Sequence, residues 1–185
     1  MANTKVSALA AATSAAFTDE LLIIADPGGS PASKRIDVSA LLQTGFEFGQ
    51  VYTSDGSGTQ SPGASYVLCT QVASDGLSSA GVTPAAASNK ITVANAGIYL
   101  VAFSLSYVGT NSAETRAAIF WDGNEQAQIS IERTMGAAAA VGVAATMGFV
   151  DVTTGATDID IRIKTSSGVF AVHELQLVVV RVGNT

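Results

Sequence analysis

Charge is scarce in this chain: Asp, Glu, Lys and Arg supply only 13% of 185 residues, against roughly 25% in ordinary soluble domains. Histidine, cysteine and tryptophan occur once each, as His173, Cys69 and Trp121. A single cysteine excludes an internal disulfide and fits a reducing compartment, or a protein indifferent to redox. A lone histidine with no second histidine or partner cysteine excludes an ordinary zinc centre, and His173 reads as a structural histidine ahead of the last strand. The nine Lys and Arg are scattered, with only Lys34 and Arg35 adjacent, and the net charge is −6. That balance argues against nucleic acid, whose phosphates require clustered cations, and against an anionic membrane surface. No apolar run approaches the roughly 18 residues of a membrane-spanning helix. The first residues have an Ala-rich, signal-like look, but Val6 and Leu9 are their only strong central apolar residues, too few for a secretory leader.

Catalytic groupings are missing as well. No serine sits in a Gly-x-Ser-x-Gly elbow. The Gly-rich loops precede strand-like runs, so no helix N-terminus is on offer to a phosphate. Asp158 and Asp160 could pair as carboxylates, but Arg162 and Lys164 continue the same face and neutralise them. Loop carboxylates at Asp122, Glu125 and Asp151 are of the type that calcium accepts, a pattern too common to mark a site. Cys69, among Tyr66, Val67, Leu68 and Val72, reads as a small core hydrophobe. The chain is expected to be no enzyme and to carry no cofactor.

What the chain does have is apolar alternation. Hydrophobic residues make up 48%, much of it alanine, and so little charge implies a surface largely covered by neighbours. Residues 1–44 stand apart. There the run Leu21-Leu22-Ile23-Ile24 is broken by Asp26-Pro27-Gly28-Gly29. A return strand over Ser33–Val38 then carries Lys34, Arg35 and Ile36, and Leu41 and Leu42 could close a helical turn. This strand–loop–strand arm is too small to hold its own core.

From residue 45 onward, Ser54–Gly63 reads as loop, Tyr66–Gln71 as strand, and Ser74–Asn89 as a long small-residue stretch. Strands then recur at Lys90–Ala94, Ile98–Val108, Thr115–Trp121, Gln126–Arg133, Ala138–Val150, Ile159–Lys164 and Val172–Val182. Short strands with Gly-rich turns and no helical period indicate an all-β sandwich or barrel. In Gln126–Glu132, Ala127, Ile129 and Ile131 are expected to face inward, as are Ile159, Ile161 and Ile163 further on. Ile98–Phe103 and Leu177–Val180 are instead apolar on both faces. Such strands must be covered twice, and a two-sheet sandwich covers them once, so another subunit is the natural second cover. Tyr99, Val101 and Phe103, with Val178 and Val180, are the candidate interface or core residues. For the first three, core packing and intersubunit contact are both open. The Ala137–Ala145 run has side chains small enough for close approach near a symmetry axis.

The run Asn95-Ala96-Gly97-Ile98-Tyr99-Leu100-Val101-Ala102-Phe103, followed by Phe120-Trp121-Asp122-Gly123-Asn124 and the Gly155–Ile161 segment, resembles the jelly roll of tumour-necrosis-factor and complement globular-head type over residues 46–183. That resemblance implies an antiparallel jelly-roll sandwich and a homotrimer. Val6–Thr13, Asp19–Ile24 and Lys34–Val38 resemble the leader of bacteriophage virion proteins, with Ala10 where that leader usually has proline. Together the two resemblances imply an attachment arm (1–44) whose contacts come from Leu21, Leu22, Ile23, Ile24, Lys34, Arg35 and Ile36, and a trimerisation domain (45–185). The implied role is a capsid decoration or cement protein on the outer virion surface, assembled in the bacterial cytoplasm, with copies of itself and the major capsid protein as partners. The alternative is a tail-fibre or receptor-binding knob that recognises the host surface.

Overall fold

The computed structural model describes residues 20–25, 32–37, 46–56, 58–136 and 141–184. The chain divides into two units, Met1–Gly45 and Phe46–Thr185. In the first, strands β1 (Glu20–Ala25) and β2 (Ala32–Asp37) pair antiparallel, with Leu21 opposite Ile36 and Ile23 opposite Lys34. Leu41 and Leu42, where a helical turn was expected, lie outside the described residues.

The second unit begins with β3 (Phe48–Thr53), β4 (Thr59–Gln60), β5 (Val67–Leu68), β6 (Ser74–Ser78), β7 (Val82–Ala85) and β8 (Lys90–Val93). The longer strands follow: β9 (Gly97–Gly109), β10 (Glu114–Trp121), β11 (Asn124–Thr134), β12 (Val141–Val152), β13 (Thr157–Thr165) and β14 (Phe170–Gly183). One sheet, sheet I, has the order β11-β10-β13-β8-β7, with β5 also on β13; sheet II has the order β12-β9-β14-β3-β6, with β4 also on β14. Every pairing is antiparallel. The two sheets pack face to face as a jelly-roll β-sandwich.

Alternation explains the core. In β9, Tyr99, Val101, Phe103, Leu105 and Tyr107 point inward and are buried. They meet Leu175, Leu177 and Val179 of β14 and, from sheet I, Ile159, Ile161 and Ile163 of β13 with Ile119 of β10. Tyr107 stacks on Phe170 with ring centroids 4.5 Å apart. Burying side chains of this size contributes about 1.5–3 kcal/mol each.

The structure departs from simple alternation at several places. The strand expected over Tyr66–Gln71 shrinks to two residues because Gln60 replaces the ladder: its amide donates to the Leu68 carbonyl (2.6 Å) and accepts from the Thr70 N–H (3.1 Å). The Ser74–Asn89 stretch is not featureless; it contains β6, β7 and a 3₁₀ turn at Ala86–Ser88. Ala127 is exposed rather than inward-facing. Ala118 pairs with Ser130 but Ile119 with Gln126, so a bulge lifts Ala127 out of register. Ile129 then fills the space beside Gly148 of β12, where a Cβ would lie 2.6 Å from its Cγ1. The strand expected from Ala138 is described from Val141, and residues 137–140 of the Ala-rich run lie outside the described residues.

A buried polar cluster closes one end of the sandwich. Glu47, 8% exposed, accepts hydrogen bonds from Tyr99 Oη (3.0 Å), Asn95 Nδ2 (2.8 Å) and Arg181 Nη1 (2.8 Å). The Arg181 guanidinium continues to the Ala96 carbonyl at 2.6 Å. Gly97 is needed beneath it, because a Cβ there would stand 2.5 Å from Arg181 Nε. Burial, and then the hydrogen bond to Glu47, push the Tyr99 phenol up to about 12. The cluster ties the loop before β3 to β9 and β14. Replacing Glu47 by alanine leaves Arg181 buried without its carboxylate, which costs roughly 3 kcal/mol. Chemical denaturation is expected to show that loss with an unchanged m-value; a loss below about 0.5 kcal/mol, the scale of a neutral surface change, would contradict it.

Candidate assembly surface

The outward faces of the two sheets differ in kind. On sheet I, charges pair among themselves. Arg116 bonds Glu114 (2.8 Å) and Glu132 (2.5 Å), Arg162 bonds Asp160 (2.9 Å), and Lys90 bonds Asp158 (2.7 Å). Arg162 also lies over the Phe120 ring and Lys164 over Tyr66. Burial alone would raise the Asp158 carboxyl, but hydrogen bonds from Lys90 and Thr92 outweigh it and hold the group below its ordinary value. Exposed pairs of this type add little stability; they make this face compatible with water.

Sheet II presents the opposite. Its register aligns Phe149, Leu100, Val180 and Phe48 in one row across β12, β9, β14 and β3. The next row is Met147, Ala102, Val178 and Gln50, and the one after it Ala145, Ser104, Gln176 and Tyr52. These rows contain no charged residue. Within the single chain Phe149 is 61%, Met147 67% and Val143 65% exposed. Leu100, Val178 and Val180 are half-buried. Contiguous apolar surface of this kind marks an interaction site in a soluble protein.

The candidate residues thus separate. Tyr99, Val101 and Phe103 are 0–2% exposed in one chain; their own sandwich covers them as part of its core. Val178 and Val180 lie on the outward face of sheet II. Leu21, Leu22, Ile23 and Ile24 fall in β1, and Lys34, Arg35 and Ile36 in β2, with Leu22 opposite Arg35. Sequence reasoning missed Phe149, Met147, Val143, Leu100 and Phe48 as surface residues. The signal was present in β12, where Val141, Val143, Ala145, Met147 and Phe149 alternate with Gly142, Ala144, Thr146, Gly148 and Val150.

His173 is exposed rather than packed in: it sits at a β14 bulge between Val172 and Glu174, and its carbonyl accepts from the Gly56 N–H at 2.8 Å. Among the described residues no three His, Cys, Asp or Glu side chains converge as metal ligands would, and no helix is long and apolar enough to cross a membrane.

No family model matches the chain, and no curated protein does. Solved structures do. The structure of Eiger TNF from S. frugiperda superposes with a TM-score of 0.55 at 8% identity, covering 75% of this chain and 95% of that one. The fold is a TNF-like jelly roll. Murine APRIL at pH 5.0 (TM-score 0.49, 12% identity, 74% and 99% covered) and the PRD1 vertex protein P5 (TM-score 0.48, 10% identity, 99% and 91% covered) are also similar. At such identities the likeness concerns the fold.

Cys69 is 1% exposed, and burial pushes its thiol up to about 11. The native protein is therefore expected to react with Ellman's reagent at neutral pH only after denaturant is added. Full reaction in the folded state would contradict the core placement.

Proposed function

We propose that the chain is a non-enzymatic structural protein of a bacteriophage particle, a homotrimer that decorates and stabilises the outer capsid. The observation that carries this reading is the uncharged face of sheet II. The long strand β9 is apolar on both sides over Ile98–Phe103, and the sandwich covers only the side bearing Tyr99 and Phe103. Leu100, Val180, Phe149 and Met147 await a second cover, and sister chains provide it at no cost in new sequence. Covering such side chains contributes about 1.5–3 kcal/mol each, enough across an obligate interface of roughly 2,000–5,000 Å² to keep copies together. The TNF-like fold supports three copies, as the family resemblance implies. The division at residue 45 and the leader-like pattern of Leu21–Ile24 with Lys34–Ile36 support the first unit as the arm that grips the major capsid protein. In this reading the trimer staples neighbouring capsid subunits, with neither nucleic acid nor membrane as partner.

Sedimentation equilibrium at micromolar concentration is expected to return about three times the 18.7 kDa chain mass. Phe149→Asp is expected to shift the mass toward that of one chain while leaving the circular dichroism spectrum intact. A parent protein that runs as a single chain would overturn the assembly.

Removal of residues 1–44 separates the two units. The shortened chain is expected to keep its oligomeric mass and to lose co-sedimentation with capsids that lack the protein. Unimpaired capsid binding by the shortened chain would remove the arm from the account.

A further inference from the structure

Asp-Gly occurs three times in this chain, at Asp55-Gly56, Asp75-Gly76 and Asp122-Gly123. The step carries an intrinsic reactivity. With no Cβ to crowd it, the glycine nitrogen attacks the aspartate side-chain carbon and closes a five-membered imide. The attack needs a free nitrogen and a free carboxyl, and the fold treats the three steps differently.

At the first step the nitrogen is engaged. The Gly56 N–H donates to the His173 carbonyl at 2.8 Å, and the glycine is wedged against β14, where a Cβ would stand 2.3 Å from the Val172 carbonyl oxygen. At the second step the carboxyl is engaged: Asp75 lies in β6, and its Oδ1 accepts from the Ala86 N–H at 2.6 Å. The third step forms the tip of the β10–β11 hairpin. Trp121 pairs with Asn124, so Asp122 and Gly123 are the two loop residues, at φ 46° and 78°, the positive values that a type I′ turn demands. Both are exposed. Among the described residues, neither the Asp122 carboxylate nor the Gly123 N–H has a hydrogen-bond partner. The contacts of Asp122 come from its backbone, whose N–H donates to the Asp158 carbonyl (3.0 Å) and whose carbonyl accepts from Asn124 Nδ2 (3.2 Å).

We infer that Asp122 is a site of spontaneous isomerisation to isoaspartate, the one Asp-Gly step of the three that the fold leaves free. The Gly123 nitrogen bonds to Asp122 Cγ, and the carboxyl hydroxyl leaves with the amide proton as water. Water then opens the imide. Attack at Cγ restores aspartate; attack at the backbone carbonyl carbon leaves the chain running through Cβ and Cγ, with no net change in atoms. The isomer carries an extra backbone methylene, which a two-residue turn accommodates only by shifting the Trp121–Asn124 pair. The inference does not rest on the proposed assembly, because the turn belongs to sheet I and the apolar rows to sheet II.

The test is to hold the full-length protein at neutral pH and physiological temperature for several weeks and to map isoaspartate by electron-transfer mass spectrometry. Synthetic peptides spanning each Asp-Gly step serve as unfolded references. The three peptides are expected to convert alike. In the folded protein, Asp122 is expected to convert at least about tenfold faster than Asp55 and Asp75, the scale of one hydrogen bond that must break first. Asp122→Glu, whose imide would need a six-membered ring, is expected to bring methyl acceptance from isoaspartyl methyltransferase down to that of an unaged sample. Equal conversion at Asp55 or Asp75 would overturn the inference. So would an unchanged Asp122 after its peptide has converted, or full methyl acceptance by the variant.

Discussion

The structure turns on one constraint: a sandwich buries one face of each sheet, and β9 has two faces that avoid water. The inward side is resolved within the chain by Tyr99, Val101, Phe103, Leu105 and Tyr107, which meet sheet I. The outward side is unresolved within the chain, because the register of β12, β9, β14 and β3 brings further apolar residues into line with Leu100 and Ala102. Neither a turn nor a loop of the described second unit covers those rows. The proposed function gives those rows their second cover in sister chains.

Sheet I shows that the chain can build a solvated face. Its Arg116, Arg162 and Lys90 each find a carboxylate at 2.5–2.9 Å, and its aromatic rings lie under cations. The scarcity of charge in the composition is thus unevenly distributed, with pairs concentrated on one sheet and missing from the central rows of the other. A surface built only to be soluble would distribute them evenly. The closed end is a different matter, since Glu47, Arg181 and Tyr99 form a cluster whose polar groups are mostly satisfied inward.

Much of this was legible in the sequence. Ile159, Ile161 and Ile163 alternate strictly with charged residues, and a period of two can only place them inward. The double apolar character of Ile98–Phe103 was equally visible. Which residues of that strand face outward was not, because alternation alone does not say which side meets the second sheet; the partner strands decide it. Short strands escaped for another reason. β4 and β5 are held by the Gln60 side chain, a contact that no local pattern encodes. Ala127 was misplaced because a bulge interrupts the period that the reading assumed.

The most direct test of the second cover is oxidative footprinting of Met147 across a protein concentration series, with buried Met135 as internal control. In a lone chain Met147 is 67% exposed and Met135 2%, so only association can shield the former. Met147 is expected to oxidise slowly at micromolar concentration and faster on dilution, while Met135 stays slow throughout. Oxidation of Met147 at the rate of a free methionine at every concentration would contradict it.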